Sequence, residues 1–153
     1  TGVSIGLQGT NKGNQDEEYV LISVGKNIEF SGDKKLTIGV VDLLGRKKMP
    51  KFVSKLIPAA KSPKVKRVSK PEDLLSLLQF KVADAVLVPA NDVSTFKSKS
   101  QLDLQVTPIS GAKVGLPALG FLSETNKKMI QTAVKQLQGK VQDIMRVNSW
   151  RAL

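Results

Sequence analysis

Two short stretches hold residue types and spacings suited to binding chemistry. Asp42-Leu43-Leu44-Gly45-Arg46-Lys47 joins an apolar run, Leu36 to Val41, to a basic helical pattern. There, backbone N–H groups, the positive end of the helix dipole and Arg46 can all face an anion. Pro89-Ala90-Asn91-Asp92, with Ser94 just beyond, follows a second apolar run and adds hydrogen-bonding groups from a neighbouring loop. Both stretches also fit plain turn chemistry, with Asp42 as a cap, Gly45 relieving backbone strain and Asn91 as an N-cap.

The chain contains no His and no Cys. Imidazole bases, Ser-His-Asp triads, cysteine nucleophiles, disulfides and thiolate metal sites are therefore excluded. No Gly-x-x-x-x-Gly-Lys-Ser/Thr loop occurs, and no Gly-x-Gly-x-x-Gly follows a strand pattern, so nucleotide-binding enzymes lose their main support. The expectation is a non-catalytic protein with no cofactor, against a remaining class of enzyme built on Asp, Lys or Ser. Asp84 lies inside an apolar strand pattern but at its start, where it reaches water, and reads as structural.

The formal charge is +11 and is uneven: residues 46–70 hold ten Lys or Arg and no acid. Such a field attracts anions, whether nucleic acid, anionic lipid or a small solute. Eight of the ten are Lys and Phe52 is the one aromatic among them, a poor platform for stacking bases. A solvated lysine-rich face is the plain alternative.

The elements that must position these residues centre on residues 71–89. Pro71 suits the first helical position, and Glu72 and Asp73 complement the dipole of a helix carrying Leu74, Leu75, Leu77 and Leu78. That helix feeds the buried strand pattern Ala83-Asp84-Ala85-Val86-Leu87-Val88. Upstream, Leu36 to Val41 reads as a buried strand. Met49, Phe52, Val53, Leu56 and Ile57 form a helical stripe starting near Lys48 because Pro50 must lie in the first turn, and Lys64 to Ser69 is a short edge strand. A short helix through Phe96 and a strand over Leu102 to Ile109 follow. This alternation predicts an α/β domain with a mostly parallel sheet and helices on both faces. Ligands on such sheets sit beyond the carboxyl ends of the strands, where both candidate stretches fall.

The flanks read less regularly. Residues 3–7 and 19–24 are strand patterns joined by a polar loop over 9–18, which an antiparallel ribbon would satisfy. Gly111 to Leu122 suits an edge strand. Ser123 caps a helix with a stripe of Met129, Ile130, Ala133, Val134 and Leu137, ended by Gly139, and an amphipathic piece from Val141 to Leu153 carries Ile144, Met145 and Trp150 as packing residues. The expected organisation is a hinge-like segment over 1–35 and an α/β lobe over 36–153. No run of 18 apolar residues marks a membrane-spanning helix.

Leu36 to Val41, the helix at 49–57, Val65 to Val68, the Leu-rich helix, Lys81-Val82-Ala83-Asp84-Ala85-Val86-Leu87-Val88-Pro89 and the 102–109 strand together resemble one lobe of type 2 periplasmic solute-binding proteins, particularly the phosphonate-type branch. The resemblance covers roughly residues 19–153. It implies an extracytoplasmic solute-binding role in transport or sensing, with Tyr19 to Val24 as the strand entering the lobe. By the resemblance, ligand contacts map onto Asp42 to Arg46 and Pro89 to Asp92; with Lys47 and Ser94 from the residues themselves, the candidate set is Asp42, Leu44, Gly45, Arg46, Lys47, Pro89, Asn91, Asp92 and Ser94. The implied partners are a small anionic solute, a second lobe or a membrane transporter subunit, and an open ligand face suggests a homodimer. The alternative is an interaction module that docks an acidic protein or nucleic acid through residues 46–70.

Overall fold

The computed structural model describes residues 4–30, 35–121, 127–137 and 139–153. The chain forms two units, one of Glu18–Lys113 and one of Thr1–Glu17 with Val114–Leu153.

The Glu18–Lys113 unit is built on a five-stranded sheet. β1 (Ser4–Thr10) belongs to the other unit; β2 (Asp16–Val24), β3 (Thr37–Val41), β4 (Lys64–Val68), β5 (Ala85–Pro89) and β6 (Leu104–Gly115) line up in the order β4-β3-β5-β2-β6. β3 runs parallel to β4 and β5, as the buried apolar runs predict, whereas β2 pairs antiparallel with β5 through Tyr19↔Pro89 to Ile22↔Val86. The sheet is therefore mixed, which corrects the expected mostly parallel arrangement. Local periodicity marks 19–24 as a strand, but nothing in it specifies insertion beside β5.

α1 (Met49–Leu56) begins after Lys48 with Pro50 in its first turn and buries Met49, Val53 and Leu56. α2 (Glu72–Gln79) buries Leu74 and Leu78, and Pro71 stands at its N-cap, one residue earlier than expected. Glycine at 39 lets α2 lie close on β3: a Cβ there would meet Leu77 Cδ1 at 2.7 Å and Val86 Cγ1 at 2.9 Å. Ile22, Leu74, Leu78, Val86, Val88, Phe96 and Leu104 form one buried cluster between sheet and helices. Asp84 locks the start of β5 to β3, its Oδ2 accepting the Thr37 N–H at 2.8 Å while its own N–H donates to the Thr37 carbonyl at 2.8 Å. This agrees with its structural reading. β6 runs straight through Pro108, which an edge strand tolerates.

The other unit carries a three-stranded antiparallel sheet in the order β7-β1-β8, with β7 at Ala118–Phe121 and β8 at Ser149–Ala152. β1 pairs with β7 and β8, so the ribbon expected between residues 3–7 and 19–24 does not form. The chain end is also a strand beyond its helix: α5 (Lys140–Met145) is short, and Trp150 lies half-buried in β8 opposite Gly9. Buried Glu17 holds Arg146 in an ion pair, and the Thr10 and Ser149 hydroxyls are 2.6 Å apart. α4 (Lys127–Lys135) buries none of its residues, and Met129 of its expected packing stripe is 68% exposed. Its apolar period specifies a helix without specifying what covers it. Ser123 lies outside the described residues, and Gly139 precedes α5 rather than closing α4.

Candidate functional site

The parallel register sets where the candidate residues meet. Val41 pairs with Val68 in β4, and Ile38 and Gly39 pair with Ala85 and Val86 in β5, so the carboxyl ends of β3, β4 and β5 finish at one edge of the sheet. The segments leaving that edge are 42–48, 69–71 and 89–92. Tyr19, opposite Pro89 in antiparallel β2, lies at the same edge. Its buried ring meets Phe52 of α1 edge to face, with centroids 6.4 Å apart.

The 42–48 turn is internally fixed. The Asp42 N–H donates to the Val68 carbonyl at 2.8 Å, and Asp42 Oδ1 accepts the Gly45 N–H at 2.7 Å. Asp42 Oδ2 pairs with the Arg67 guanidinium. Gly45 has φ +77°, a backbone position that favours glycine, and its carbonyl accepts the N–H groups of Lys48 at 3.2 Å and Met49 at 3.0 Å. Asp42 and Gly45 thus serve as the frame of the turn. Arg46 and Lys47 project from it into solvent, and Leu43 and Leu44 are 65% and 45% exposed.

The second stretch is more constrained than the sequence suggests. Pro89 closes β5, Ala90–Asp92 is a single 3-10 turn, and α3 (Val93–Ser98) follows with Asp92 at its N-cap position but without a side-chain capping bond. Asn91 is exposed on the edge turn and does not act as the cap. Ser94 lies inside α3, beyond the turn, although exposed.

A basic turn and an amide-bearing turn thus leave the same edge of the sheet. Acids also lie nearby: Glu72 and Asp73 occupy the first turn of α2, which leaves the same edge. Among the described residues, no group of three His, Cys, Asp or Glu is arranged to hold a metal ion.

Sequence reasoning missed Arg67, the counter-ion of Asp42. The signal was the parallel register, which sets the end of β4 beside the end of β3. It also missed a cavity of about 710 Å³ at the opposite, amino-terminal end of the sheet, lined in part by Lys26, Phe30, Leu36, Lys61, Lys81 and Asp84. No local pattern marks that cavity, because loops distant in sequence form its walls.

No protein-family model matches the chain, and no curated protein matches it. Solved structures do. The substrate-binding protein of an amino acid ABC transporter is 16% identical with a TM-score of 0.53, over 86% of this chain and 53% of that one. Holo ArgBP from T. maritima is 19% identical with a TM-score of 0.51, over 94% and 61%. A protein from Xanthomonas citri bound to ATP is 11% identical with a TM-score of 0.60, over 99% and 65%. At these identities the likeness establishes the fold, a mixed α/β arrangement of the kind found in substrate-binding proteins. The chain spans between about half and two thirds of the length of these structures. Nothing in them supports the narrower phosphonate-type branch.

Proposed function

We propose that the Glu18–Lys113 unit is a non-catalytic solute-binding lobe that takes the anionic group of a small solute at the carboxyl edge of β3 and β5. The feature that carries this reading is the Asp42–Lys47 turn, braced by Asp42 through the Gly45 N–H and Arg67, with Arg46 and Lys47 exposed at the sheet edge from which the Pro89–Asp92 turn also leaves. Arg46 and Lys47 supply charge, and Asn91 adds an amide. An amino acid carboxylate and a phosphate both offer the anionic group these residues suit. The likeness to amino acid transporter proteins and to an ATP-bound protein is consistent with either. In this reading the natural setting is extracytoplasmic, with an ABC transporter as the partner.

The alternative, docking of an acidic partner through 46–70, draws on the exposure of all ten basic residues in that stretch. For nucleic acid the aromatic platform is absent there: half-buried Phe52 is engaged with Tyr19.

A thermal-shift screen against phosphate, sulfate, carboxylates, amino acids and uncharged sugars at fixed ionic strength tests the proposal. A solute present at 100 times its dissociation constant stabilises the fold by about 2.7 kcal/mol. The expected result is a shift with one anion-bearing class and none with sugars; a shift with sugars alone would reject it.

A further inference from the structure

Leu43 and Leu44 stand out at the proposed site. Each is a large apolar side chain, 65% and 45% exposed, on a turn held by hydrogen bonds and an ion pair. Asp42 fixes the turn at one end through the Gly45 N–H and Arg67, and the Gly45 carbonyl fixes the other through Lys48 and Met49. Arg46, Lys47 and Lys48 follow directly, all exposed, so apolar surface and cationic surface adjoin within six residues.

Resting on the solute-binding reading above, we infer that the solute is amphiphilic: one anionic group carried on an apolar body, the anion at Arg46 and Lys47 and the body against Leu43 and Leu44. A purely inorganic anion would gain nothing from two solvent-facing leucines beside the cations. An apolar body would remove their surface from water together with its own, and the neighbouring charges would fix its orientation.

The test is an NMR titration of the whole chain with the straight-chain series acetate, butyrate and hexanoate, at constant salt, reading the Leu43 and Leu44 methyls and the 45–48 amides. Affinity is expected to rise about threefold per added CH₂, a little under the value for full burial of that group. The double variant L43S/L44S is expected to flatten that rise, lowering the hexanoate-to-acetate affinity ratio at least fivefold. Both leucines are surface residues, so the variant keeps the fold, and unchanged 15N spectra away from the turn confirm this. An equal rise in wild type and L43S/L44S would overturn the inference. Equal acetate and hexanoate affinity in wild type, with both weakened by Arg46→Ala, would overturn it while leaving the solute-binding reading standing. Acetate shifts unaffected by Arg46→Ala would instead reject that reading, and this inference with it.

Discussion

Leu74→Ala is expected to lower the stability of the Glu18–Lys113 unit by about 3 kcal/mol, within the range for truncating a fully buried leucine. Leu74 is 1% exposed and packs in the cluster with Ile22, Val86, Val88 and Leu78, where α2 closes over β3 and β5. Alanine would forfeit the transfer free energy of the lost carbons and leave a void among branched side chains already fixed by the sheet. Phe80→Ala, just past the same helix, is the control: its ring is 72% exposed, and the change is expected to stay within about 0.5 kcal/mol. Urea unfolding of both variants measures the difference. Equal costs would mean that the α2 face is not the core of this unit.

The second large effect belongs to Asp42. Its carboxylate accepts the Gly45 N–H and pairs with Arg67, so Asp42→Ala removes both restraints on the turn at once. The two side chains are 24% and 32% exposed, which keeps the ionic share small; the expected total is about 2 kcal/mol. Asp42→Asn retains an oxygen for the Gly45 N–H and should cost less than half as much. It also releases the Arg67 guanidinium and deletes a negative charge beside Arg46, so anion affinity is expected to rise severalfold while stability falls. That opposition of signs separates a framing role from ligand contact. Loss of affinity in Asp42→Asn at near-wild-type stability would instead make the carboxylate a direct ligand group.

The legible parts of this protein are those whose determinants are local. β3 and β5 read as strands because both faces are buried and their sequences are continuously apolar. The start of α1 was fixed by Pro50, and the stripe of Met49, Val53 and Leu56 is buried where its period places it. Three features depended on pairing between distant segments and were not legible. β2 inserts antiparallel beside β5, the chain end forms β8 against β1, and Arg67 meets Asp42 only because β3 and β4 lie in register. At the candidate site the turn and its cations were visible from residue type. The division of labour within it was not: Asp42 and Gly45 hold the geometry, and Leu43, not singled out as a ligand residue, is 65% exposed. Ser94 reads as a loop residue in the sequence, whereas the 3-10 turn at Ala90–Asp92 places it inside α3.

The most direct test of the solute-binding edge is calorimetric titration of Arg46→Ala and Asn91→Ala with whichever anionic solute stabilises the wild-type chain most. Both side chains are exposed, so neither change should disturb the fold. The account predicts at least a tenfold loss of affinity for Arg46→Ala, in keeping with about 1.5–3 kcal/mol for a hydrogen bond to a charged group, and a smaller loss for Asn91→Ala. Wild-type affinity in both variants would place the solute elsewhere on the molecule and contradict it.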